Sequence, residues 1–480
     1  MSGLLDRFSR ARGHAVLDDR GEHSFDALRA RAADVAAFLG DRRDERVAIL
    51  ASPGADFVAA LFGVFSSGGC ALVLSPLHPP AESAYFCDDA DVDLILVTAD
   101  QAERARAAAG ARPVVDVATI ARRAPGDVAV SDASPALMLY TSGTTGKPKG
   151  AVLSHGNLSI QQELLAETWG LVSSDVLLHA LPLHHMHGLC IALLSCLGAG
   201  ATIRMLPAFD AARIWRDMER STVFMAVPTM YKKLFEAVEA SPDRAKERDG
   251  WMQNATKLRL ATSGSAALPV TLADRWKAIT GTIPLERFGM TEIGVGLSNP
   301  LHGERRAGTV GLPLRTVETK IDETTNELFV RGPSVFSQYF RREEATARAF
   351  KDGWFQTGDT VTRDERGYFR VLGRTSVDIL KSGGYKLSAL EIEEALREHA
   401  AVSDVAVVGV PDETWGDRVV ACVVVRSGAS LEPEQLRAFA KEKLASYKCP
   451  KDVVVLAELP RNAMGKVQKP ALVASLAAKS

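Results

Sequence analysis

The chain has 480 residues, of which 46% are hydrophobic and 24% are charged, and its formal net charge is −2. These values are typical of a folded globular protein and exclude collagen, a coiled coil or an extended disordered chain. At roughly 150 residues per domain, the length predicts about three structural units. A nearly neutral chain lacks the basic surface that nucleic acids or anionic membranes require, so we expect neither as a partner.

Short apolar strands alternate with helices through the first two thirds of the chain. Apolar residues from Phe25 to Phe38 recur at three- and four-residue spacing, which predicts a helix. Strands are then predicted at 46–50, 70–74, 94–97, 176–181, 202–206, 223–227 and 258–262, with a helix at 57–65. Such alternation is typical of parallel sheets covered by helices and predicts an α/β fold.

The pattern changes near residue 326. Short strands at 327–331 and 368–371 with turn signals between them predict a small antiparallel, barrel-like β part. A further set of helices and strands follows Gly373, which is enough for a separate small α+β domain. We therefore predict a large N-terminal domain of α/β subdomains over residues 1–373 and a small C-terminal domain over 374–480. The hinge is expected within residues 373–378.

The cysteines and the N-terminus indicate the compartment. None of the six cysteines forms a C-x-x-C pair, which argues against a disulfide framework or a structural zinc site and favours a reducing environment. The first 25 residues mix arginines with acids and lack the apolar core of a signal peptide. No apolar stretch has the length of a membrane span. We expect a cytoplasmic protein.

A loop rich in glycine, hydroxyl groups and lysine follows the predicted strand at 136–140. It reads Thr141-Ser-Gly-Thr-Thr-Gly-Lys-Pro-Lys-Gly150. Its glycines let backbone N–H groups surround an anion, and its hydroxyls and lysines add donors. It is not a Walker A loop, because Gly143 and Gly146 are separated by two residues rather than four. The loop predicts a phosphate site.

Residues 141–150 resemble the phosphate loop of the adenylate-forming superfamily, which includes acyl-CoA synthetases, peptide-synthetase adenylation domains and beetle luciferases. Four more motifs follow in the order of that family: Phe288-Gly-Met-Thr-Glu292, Thr357-Gly-Asp359, Gly373-Arg374 and the C-terminal lysine motif at 460–466. The resemblance therefore covers essentially the whole chain. It implies that the C-terminal domain is mobile and that it rotates between two half-reactions.

The resemblance also implies the reaction and its residues. An acid would react with ATP in the presence of Mg²⁺ to form an acyl-AMP, which would then be transferred to CoA. The implied catalytic residues are Lys466, Thr291, Glu292 and His185, and the implied Mg²⁺ ligands are Glu292 and Thr145. The implied ATP contacts are Thr141, Ser142, Gly143, Thr144, Thr145, Gly146, Lys147, Lys149, Gly264, Ser265, Ala266, Phe288, Gly289, Met290, Asp359 and Arg374. The implied CoA contacts are Lys381, Ser382, Gly383 and Gly384.

Arg287 bears on the identity of the acid. Burying an unpaired guanidinium beside a fatty tail would be costly, whereas a guanidinium can bind a second carboxylate in bidentate fashion. Leu183-His-His-Met-His-Gly188, Ser263-Gly-Ser-Ala-Ala-Leu-Pro269 and Lys381-Ser-Gly-Gly-Tyr-Lys386 contribute to a resemblance to the malonyl-CoA synthetase branch, although Phe288 replaces its usual tyrosine. Members of that branch activate malonate and often methylmalonate.

We therefore expect Arg287 to bind the distal carboxylate of malonate, helped by His187 or Ser265. Thr229 and Met290 would limit the substituent on the α-carbon. The three histidines at 184–187 have no cluster of Cys, Glu or Asp nearby in sequence, so zinc is not expected there. Arg305 and Arg306 are expected at the surface.

Other functions remain open from the sequence. The nearest is a synthetase for short- or medium-chain monocarboxylic acids, in which Arg287 pairs with Glu286 or another acid. A second is an enzyme that loads a carrier protein instead of CoA. A hydrolase is disfavoured because no G-x-S-x-G elbow is present, and a non-catalytic nucleotide-binding module would need neither Lys466 nor Glu292. The expected assembly is a monomer or a homodimer.

Overall fold

The computed structural model describes residues 2–122, 128–141, 148–240, 245–461 and 467–477. The chain divides into two compact units. The larger unit comprises Met1–Leu268, Leu272–Glu318 and Val330–Phe355. The smaller unit comprises Pro269–Thr271, Thr319–Phe329 and Gln356–Ser480. The predicted boundary between residues 373 and 374 stays a prediction.

A nine-stranded sheet forms one part of the larger unit. Its strands lie in the order Leu312–Pro313, Gly294–Ser298, Leu285–Met290, Leu260–Ser263, Val223–Ala226, Val176–His179, Thr202–Met205, His14–Asp18 and Gly21–Ser24. The central strands are parallel, as predicted, while the pairs at both edges are antiparallel. Because parallel strands end at the same edge, His179, Ser263 and the end of the strand Leu285–Met290 lie along one edge of the sheet, where ligands bind in open α/β sheets.

A seven-stranded sheet forms a second part of the larger unit. Its strands lie in the order Gln338–Tyr339, Lys149–Ser154, Pro135–Thr141, Cys70–Val73, Arg46–Leu50, Val92–Val97 and Val114–Asp116. The strands Pro135–Thr141 and Lys149–Ser154 are antiparallel, with Thr141 opposite Lys149 at the two ends of the predicted phosphate loop. This sheet therefore fixes where that loop begins and ends.

Helices cover these sheets, and their apolar faces explain why they form. The helix Phe25–Leu39 begins at the cap Ser24, whose hydroxyl accepts from the Ala27 N–H, and buries Phe25, Leu28 and Val35. The other α-helices between residues 3 and 349 are Gly3–Arg10, Ala55–Ser66, Pro80–Asp89, Ala102–Ala109, His155–Trp169, Ser195–Gly198, Ala211–Asp217, Pro228–Glu239, Ala245–Ala255, Val270–Thr280 and Glu343–Ala349. Short 3₁₀ helices cover Ala99–Gln101, Val117–Thr119 and Met218–Arg220. A π-helix, which sequence periodicity did not predict, covers His187–Leu194.

The smaller unit has its own sheet and core. The strands lie in the order Tyr385–Ser388, Ile379–Ser382, Gly416–Val425 and Val402–Asp412, and Asp452–Leu456 pairs in parallel with Gly416–Val425. The helices are Ala389–Arg397, Pro433–Lys443 and Lys469–Ala477, with a 3₁₀ turn at Ser446–Lys448. A separate five-stranded sheet is formed by Glu318–Ile321, Glu327–Arg331, Trp354–Arg363, Phe350–Lys351 and Phe369–Arg374. The predicted α/β fold with a smaller C-terminal domain is confirmed.

A buried ionic cluster lies within the smaller unit. Lys469 is 8% exposed, and its Nζ lies 2.5 Å from Asp378 Oδ1 and 2.7 Å from Glu393 Oε1. Burial by itself would lower the pKa of Lys469, but the two carboxylates outweigh it and raise that pKa above its usual value. Asp378, the last residue of the predicted hinge, also accepts from the backbone N–H of Arg374 at 2.9 Å. The cluster therefore links the hinge segment to the start of the last helix.

None of the helices in the described ranges combines the length and the apolar character needed to cross a bilayer.

Candidate active site

A buried arginine, Arg287, lies at the carboxyl edge of the nine-stranded sheet. Arg287 is 4% exposed on the strand Leu285–Met290. Its Nε and Nη2 have no hydrogen-bond partner among the described residues, and no acid in those ranges forms an ion pair with it. Burial lowers the pKa of Arg287 to about 9. A buried cation of this kind is costly unless an anion joins it, so the geometry calls for an anionic ligand.

The turn after the strand Leu260–Ser263 is shaped around this guanidinium. A Cβ atom on Gly264 would lie 2.4 Å from both Cζ and Nε of Arg287. The next residue, Ser265, has a φ of 70°, a left-handed conformation that costs a non-glycine residue free energy. The Ser265 Oγ lies 3.2 Å from His187 Nδ1. The turn therefore brings a hydroxyl and an imidazole to the Arg287 pocket.

Two buried histidines lie close to each other, and one of them, His187, is also close to Arg287. His187 begins the π-helix and is 6% exposed, while His179 ends the strand Val176–His179 and is 1% exposed. Burial, and then the charge of Arg287, lower the pKa of His187 well below its usual value, and burial lowers the pKa of His179 to about 4. The His187 Nε2 and both ring nitrogens of His179 lack a partner in the described part of the chain. Both rings are therefore neutral hydrogen-bonding groups at neutral pH.

His187 was predicted from the sequence as a site residue, and His179 was not. His179 could be recognised as a candidate site residue only once the fold was known, because what distinguishes it is its position as the last residue of a central parallel strand. A polar residue at that position lies along the ligand-binding edge of the sheet.

The alternative pairing of Arg287 with Glu286 is absent among the described residues. The Glu286 carboxylate instead accepts from the backbone N–H of Leu268 at 3.2 Å and of Gly308 at 2.9 Å. The expected surface position of Arg305 is wrong: its side chain is half-buried and donates to three backbone carbonyls. Arg305 is therefore a structural arginine, because backbone acceptors satisfy it, whereas Arg287 has unused donors.

The phosphate side of the candidate site lies at the edge of the seven-stranded sheet. Thr141 and Lys149 are half-buried at the two ends of the loop. The predicted residues Ser142, Gly143, Thr144, Thr145, Gly146, Lys147 and the predicted catalytic Lys466 lie outside the described residues.

Glu292, of the Thr-Glu motif, is 4% exposed and is held by a tyrosine that the sequence analysis missed. Tyr339 Oη donates to Glu292 Oε1 at 2.8 Å, and Lys149 Nζ lies 5.1 Å from the centre of the Tyr339 ring. The Glu292 carbonyl accepts from the Phe336 N–H at 2.7 Å. Hard oxygen donors of this type fit Mg²⁺. Among the described residues, no group of three or more His, Cys, Asp or Glu side chains is arranged to hold a metal.

The remaining predicted residues of the larger unit lie on the strand Leu285–Met290, just after it, or on neighbouring elements. Phe288 is 9% exposed, and Gly289, Met290 and Thr291 follow it half-buried at the strand end. Any side chain on Gly289 would collide with the Gly294 carbonyl, 2.1 Å from its Cβ position. Of the others, Ala266 is exposed, Thr229 is half-buried near the start of the helix Pro228–Glu239, and His185 is half-buried with its ring 3.9 Å from that of His184.

The smaller unit carries the other predicted contacts. Asp359 is 7% exposed and lies opposite Arg374 in an antiparallel strand pair, and Arg374 Nη1 is 3.4 Å from Asp359 Oδ2. Arg374 Nη1 also donates to the Thr357 carbonyl at 2.6 Å. The predicted CoA contacts lie on the hairpin formed by Ile379–Ser382 and Tyr385–Ser388. In that hairpin Lys381 is exposed and Ser382 is buried, and the tip residues Gly383 and Gly384 have φ values of 56° and 82°.

The chain matches two family models that cover most of its length. The model of the AMP-binding enzymes matches residues 6–340, and that of their C-terminal domain matches residues 391–466. The chain is 42% identical to a malonate–CoA ligase of Arabidopsis thaliana over 91% of its own length and 79% of the relative. It is 39% identical to the mitochondrial malonate–CoA ligase ACSF3 of Homo sapiens, over 96% and 89% of the two chains.

Solved structures agree with these matches. The structure of ATP-bound MatB from Rhodopseudomonas palustris is similar with a TM-score of 0.89 and 34% identity, covering 99% of each chain. A malonyl-CoA ligase in a ternary product complex with methylmalonyl-CoA and AMP is 38% identical, with a TM-score of 0.69 and coverage of 94% and 97%. The protein therefore belongs to the AMP-binding enzyme family, as the motifs between residues 141 and 466 predicted.

Proposed function

We propose that the protein is an AMP-forming malonate–CoA ligase that also accepts methylmalonate. Malonate and ATP react to give malonyl-AMP and pyrophosphate. The thiol of CoA then attacks malonyl-AMP to give malonyl-CoA and AMP. The single observation that supports the choice of acid is the buried Arg287, whose Nε and Nη2 have no partner among the described residues. The similarity to malonate–CoA ligases supports the same choice.

In this proposal Arg287 binds the carboxylate of malonate that does not react. A guanidinium can donate two parallel hydrogen bonds to one carboxylate, and this charge-assisted pairing offsets the cost of burying both groups. The neutral His187 and the Ser265 hydroxyl supply further hydrogen bonds near the same carboxylate. Thr229 and Met290 limit the substituent on the α-carbon, so that hydrogen or a methyl group is accepted.

The first half-reaction brings together two anions, since a carboxylate oxygen attacks the α-phosphorus of ATP. Two unit charges about 4 Å apart repel each other by about 4 kcal/mol at an effective dielectric near 20. Placed positive charge and in-line positioning therefore supply most of the catalysis. We assign that charge to the loop at 141–149, which ends in Lys149, and to Lys466, which bridges the carboxylate and the α-phosphate.

The nucleotide and metal contacts complete the proposal. Phe288 stacks on the adenine beside the wall formed by Gly264–Ala267, and Asp359, supported by Arg374, accepts from the ribose hydroxyls. Glu292 and Thr145 would hold Mg²⁺, which would neutralise phosphate charge. His185 and Thr291 lie with them as catalytic residues. CoA contacts Lys381, Ser382, Gly383 and Gly384 after residues 374–480 rotate about the hinge, while residues 1–373 bind ATP and the acid.

We further propose that the protein acts in the cytoplasm as a monomer or homodimer, with small molecules rather than nucleic acid or membranes as its partners. All six cysteines are buried and unpaired, which suits a reducing compartment. Cell fractionation and light scattering of the purified protein test the two statements.

Pyrophosphate release over a panel of acids, with and without CoA, tests the function. The panel consists of malonate, methylmalonate, acetate, butyrate and octanoate. We expect malonate to give the highest kcat/KM, with one CoA consumed per pyrophosphate. A preference for butyrate or octanoate would refute the proposed acid, and release that does not depend on CoA for turnover would refute the proposed acceptor.

A further inference from the structure

Tyr339 contacts an acidic side chain, Glu292, and a basic side chain, Lys149, in the part of the candidate site that is proposed to bind the phosphates of ATP. Its hydroxyl donates to Glu292 Oε1 at 2.8 Å, and the Lys149 ammonium lies over its ring, 5.1 Å from the ring centre. Lys149 forms no ion pair within the described ranges. One tyrosine therefore contacts both a cation that follows the phosphate loop and the carboxylate of the Thr-Glu motif.

The backbone around Tyr339 fixes this position independently of the two charges. The strand Gln338–Tyr339 pairs with the strand that begins at Lys149, with Tyr339 opposite Ala151. The Tyr339 N–H donates to Thr346 Oγ1 at 3.0 Å. Three residues earlier, the Phe336 N–H donates to the Glu292 carbonyl at 2.7 Å. One short segment is thus hydrogen-bonded both to the strand that leaves the phosphate loop and to Glu292.

Tyr339 gives each of the two charged groups a contact other than the opposite charge. In a partly buried site, opposite charges attract strongly, and a direct ion pair between Lys149 and Glu292 would consume the charges that triphosphate and metal need. The ring attracts the ammonium through its electron-rich face, and the hydroxyl gives the carboxylate one preferred orientation. Tyr339 can therefore satisfy both groups without letting them neutralise each other.

We propose that Tyr339 is a positioning residue for the adenylation step. Its hydroxyl orients Glu292 for the metal-bound nucleotide, and its ring holds Lys149 apart from Glu292 so that both side chains are directed at ATP. The inference rests on the proposed ATP-dependent adenylation, but it does not depend on which acid is activated.

Two variants separate the roles of the hydroxyl and the ring. Tyr339→Phe removes the hydrogen bond to Glu292 and keeps the ring, while Tyr339→Leu removes both. Mn²⁺ binding in the presence of ATP and the absence of any acid is measured by electron paramagnetic resonance, and ATP binding in EDTA by calorimetry. We expect Tyr339→Phe to weaken Mn²⁺ binding about 10- to 100-fold, the effect of one hydrogen bond to a charged group, and to leave ATP binding in EDTA unchanged. We expect Tyr339→Leu to weaken both.

A matched control is Tyr140→Phe, which also removes a tyrosine hydroxyl from a carboxylate. Tyr140 Oη lies 2.7 Å from Asp89 Oδ2, and Asp89 stays paired with Arg342. The proposal would be supported if this control binds Mn²⁺ with wild-type affinity and if Tyr339→Phe has a lower kcat with an unchanged KM for malonate.

Wild-type Mn²⁺ affinity in Tyr339→Phe, or equal losses in the Phe and Leu variants, would overturn it. If Tyr339→Leu does not fold, the Phe variant alone still decides the role of the hydroxyl. A wild-type protein that binds Mn²⁺ and ATP but releases no pyrophosphate with malonate would count against the proposed function and leave the role of Tyr339 intact.

Discussion

Replacing Arg287 by methionine should separate the stability of the protein from its choice of substrate. Burial lowers the pKa of Arg287 from 12.5 to about 9. At about 1.4 kcal/mol per pKa unit, this corresponds to roughly 5 kcal/mol of unfavourable free energy for the charged form in the absence of a ligand. Methionine removes that charge and fills much of the same space. We therefore expect Arg287→Met to be more stable than the wild type without substrate, by up to a few kcal/mol.

The same variant should lose its preference for the diacid. Two charge-assisted hydrogen bonds at about 1.5–3 kcal/mol each correspond to a loss of about 10²- to 10⁴-fold in kcat/KM for malonate. Butyrate has an ethyl group in place of the distal carboxylate, and it should react with the variant at least as well as with the wild type. The assay is pyrophosphate release with each acid, together with urea unfolding of the full chain.

Arg305→Met is the matched control, because the donors of Arg305 are used by backbone carbonyls. It should lower stability and leave the ratio of malonate to butyrate activity unchanged. Equal losses on both acids in Arg287→Met would refute the assignment of Arg287 to the distal carboxylate. A variant several kcal/mol less stable than the wild type would refute the statement that its charge is uncompensated.

Three further predictions concern the same elements. Gly264→Ala would place a Cβ 2.4 Å from the guanidinium of Arg287. The kcat/KM for malonate should therefore fall about 10-fold or more, while that for butyrate should change little. Equal losses on the two acids would contradict this prediction. Lys469→Ala leaves the buried Asp378 without an ion pair in the described residues, while Glu393 keeps its pair with Arg397. This variant should lower the free energy of unfolding by about 3–5 kcal/mol, whereas the exposed Lys277→Ala should change it by less than about 0.5 kcal/mol. Burial lowers the pKa of His179 from 6.5 to about 4. As the pH falls between these values, the unfolded chain binds a proton at His179 and the folded chain does not, so the contribution of His179 to stability is lost over that window and is constant above it. His179→Leu should reduce this acid-induced loss by about 3 kcal/mol in urea unfolding at pH 7 and pH 4, and an unchanged loss would contradict the reasoning.

Much of the larger unit could be predicted because its central strands are short, apolar and bounded by turn signals. The strand Arg46–Leu50 was predicted with the bounds that the structure has. The hairpin His14–Asp18 and Gly21–Ser24 was not predicted, since it is held by pairing with Thr202–Met205, far away in the chain. Local sequence carries no information about such a partner.

Some residues of the candidate site could be predicted from the sequence, and others could not. Arg287 and Glu292 belong to contiguous motifs, so they could be identified from the sequence. Tyr339 and His179 could not, because each acquires its neighbours through folding: Tyr339 meets a carboxylate 47 residues away, and His179 lies at the end of a strand like many others. The pairing of Asp359 with Arg374 lies between these cases: both residues belong to motifs, but their contact depends on the register of two neighbouring strands.

The contact between Gly264 and Arg287 has an evolutionary consequence. While arginine stands at position 287, a Cβ at position 264 would lie 2.4 Å from its Cζ and Nε, so a side chain there requires the guanidinium to shift. If a lineage first replaces the arginine, this penalty at position 264 disappears. The effects of the two substitutions are therefore expected to be non-additive. A descendant that carries both changes would regain the original position of the guanidinium only by restoring glycine as well as arginine.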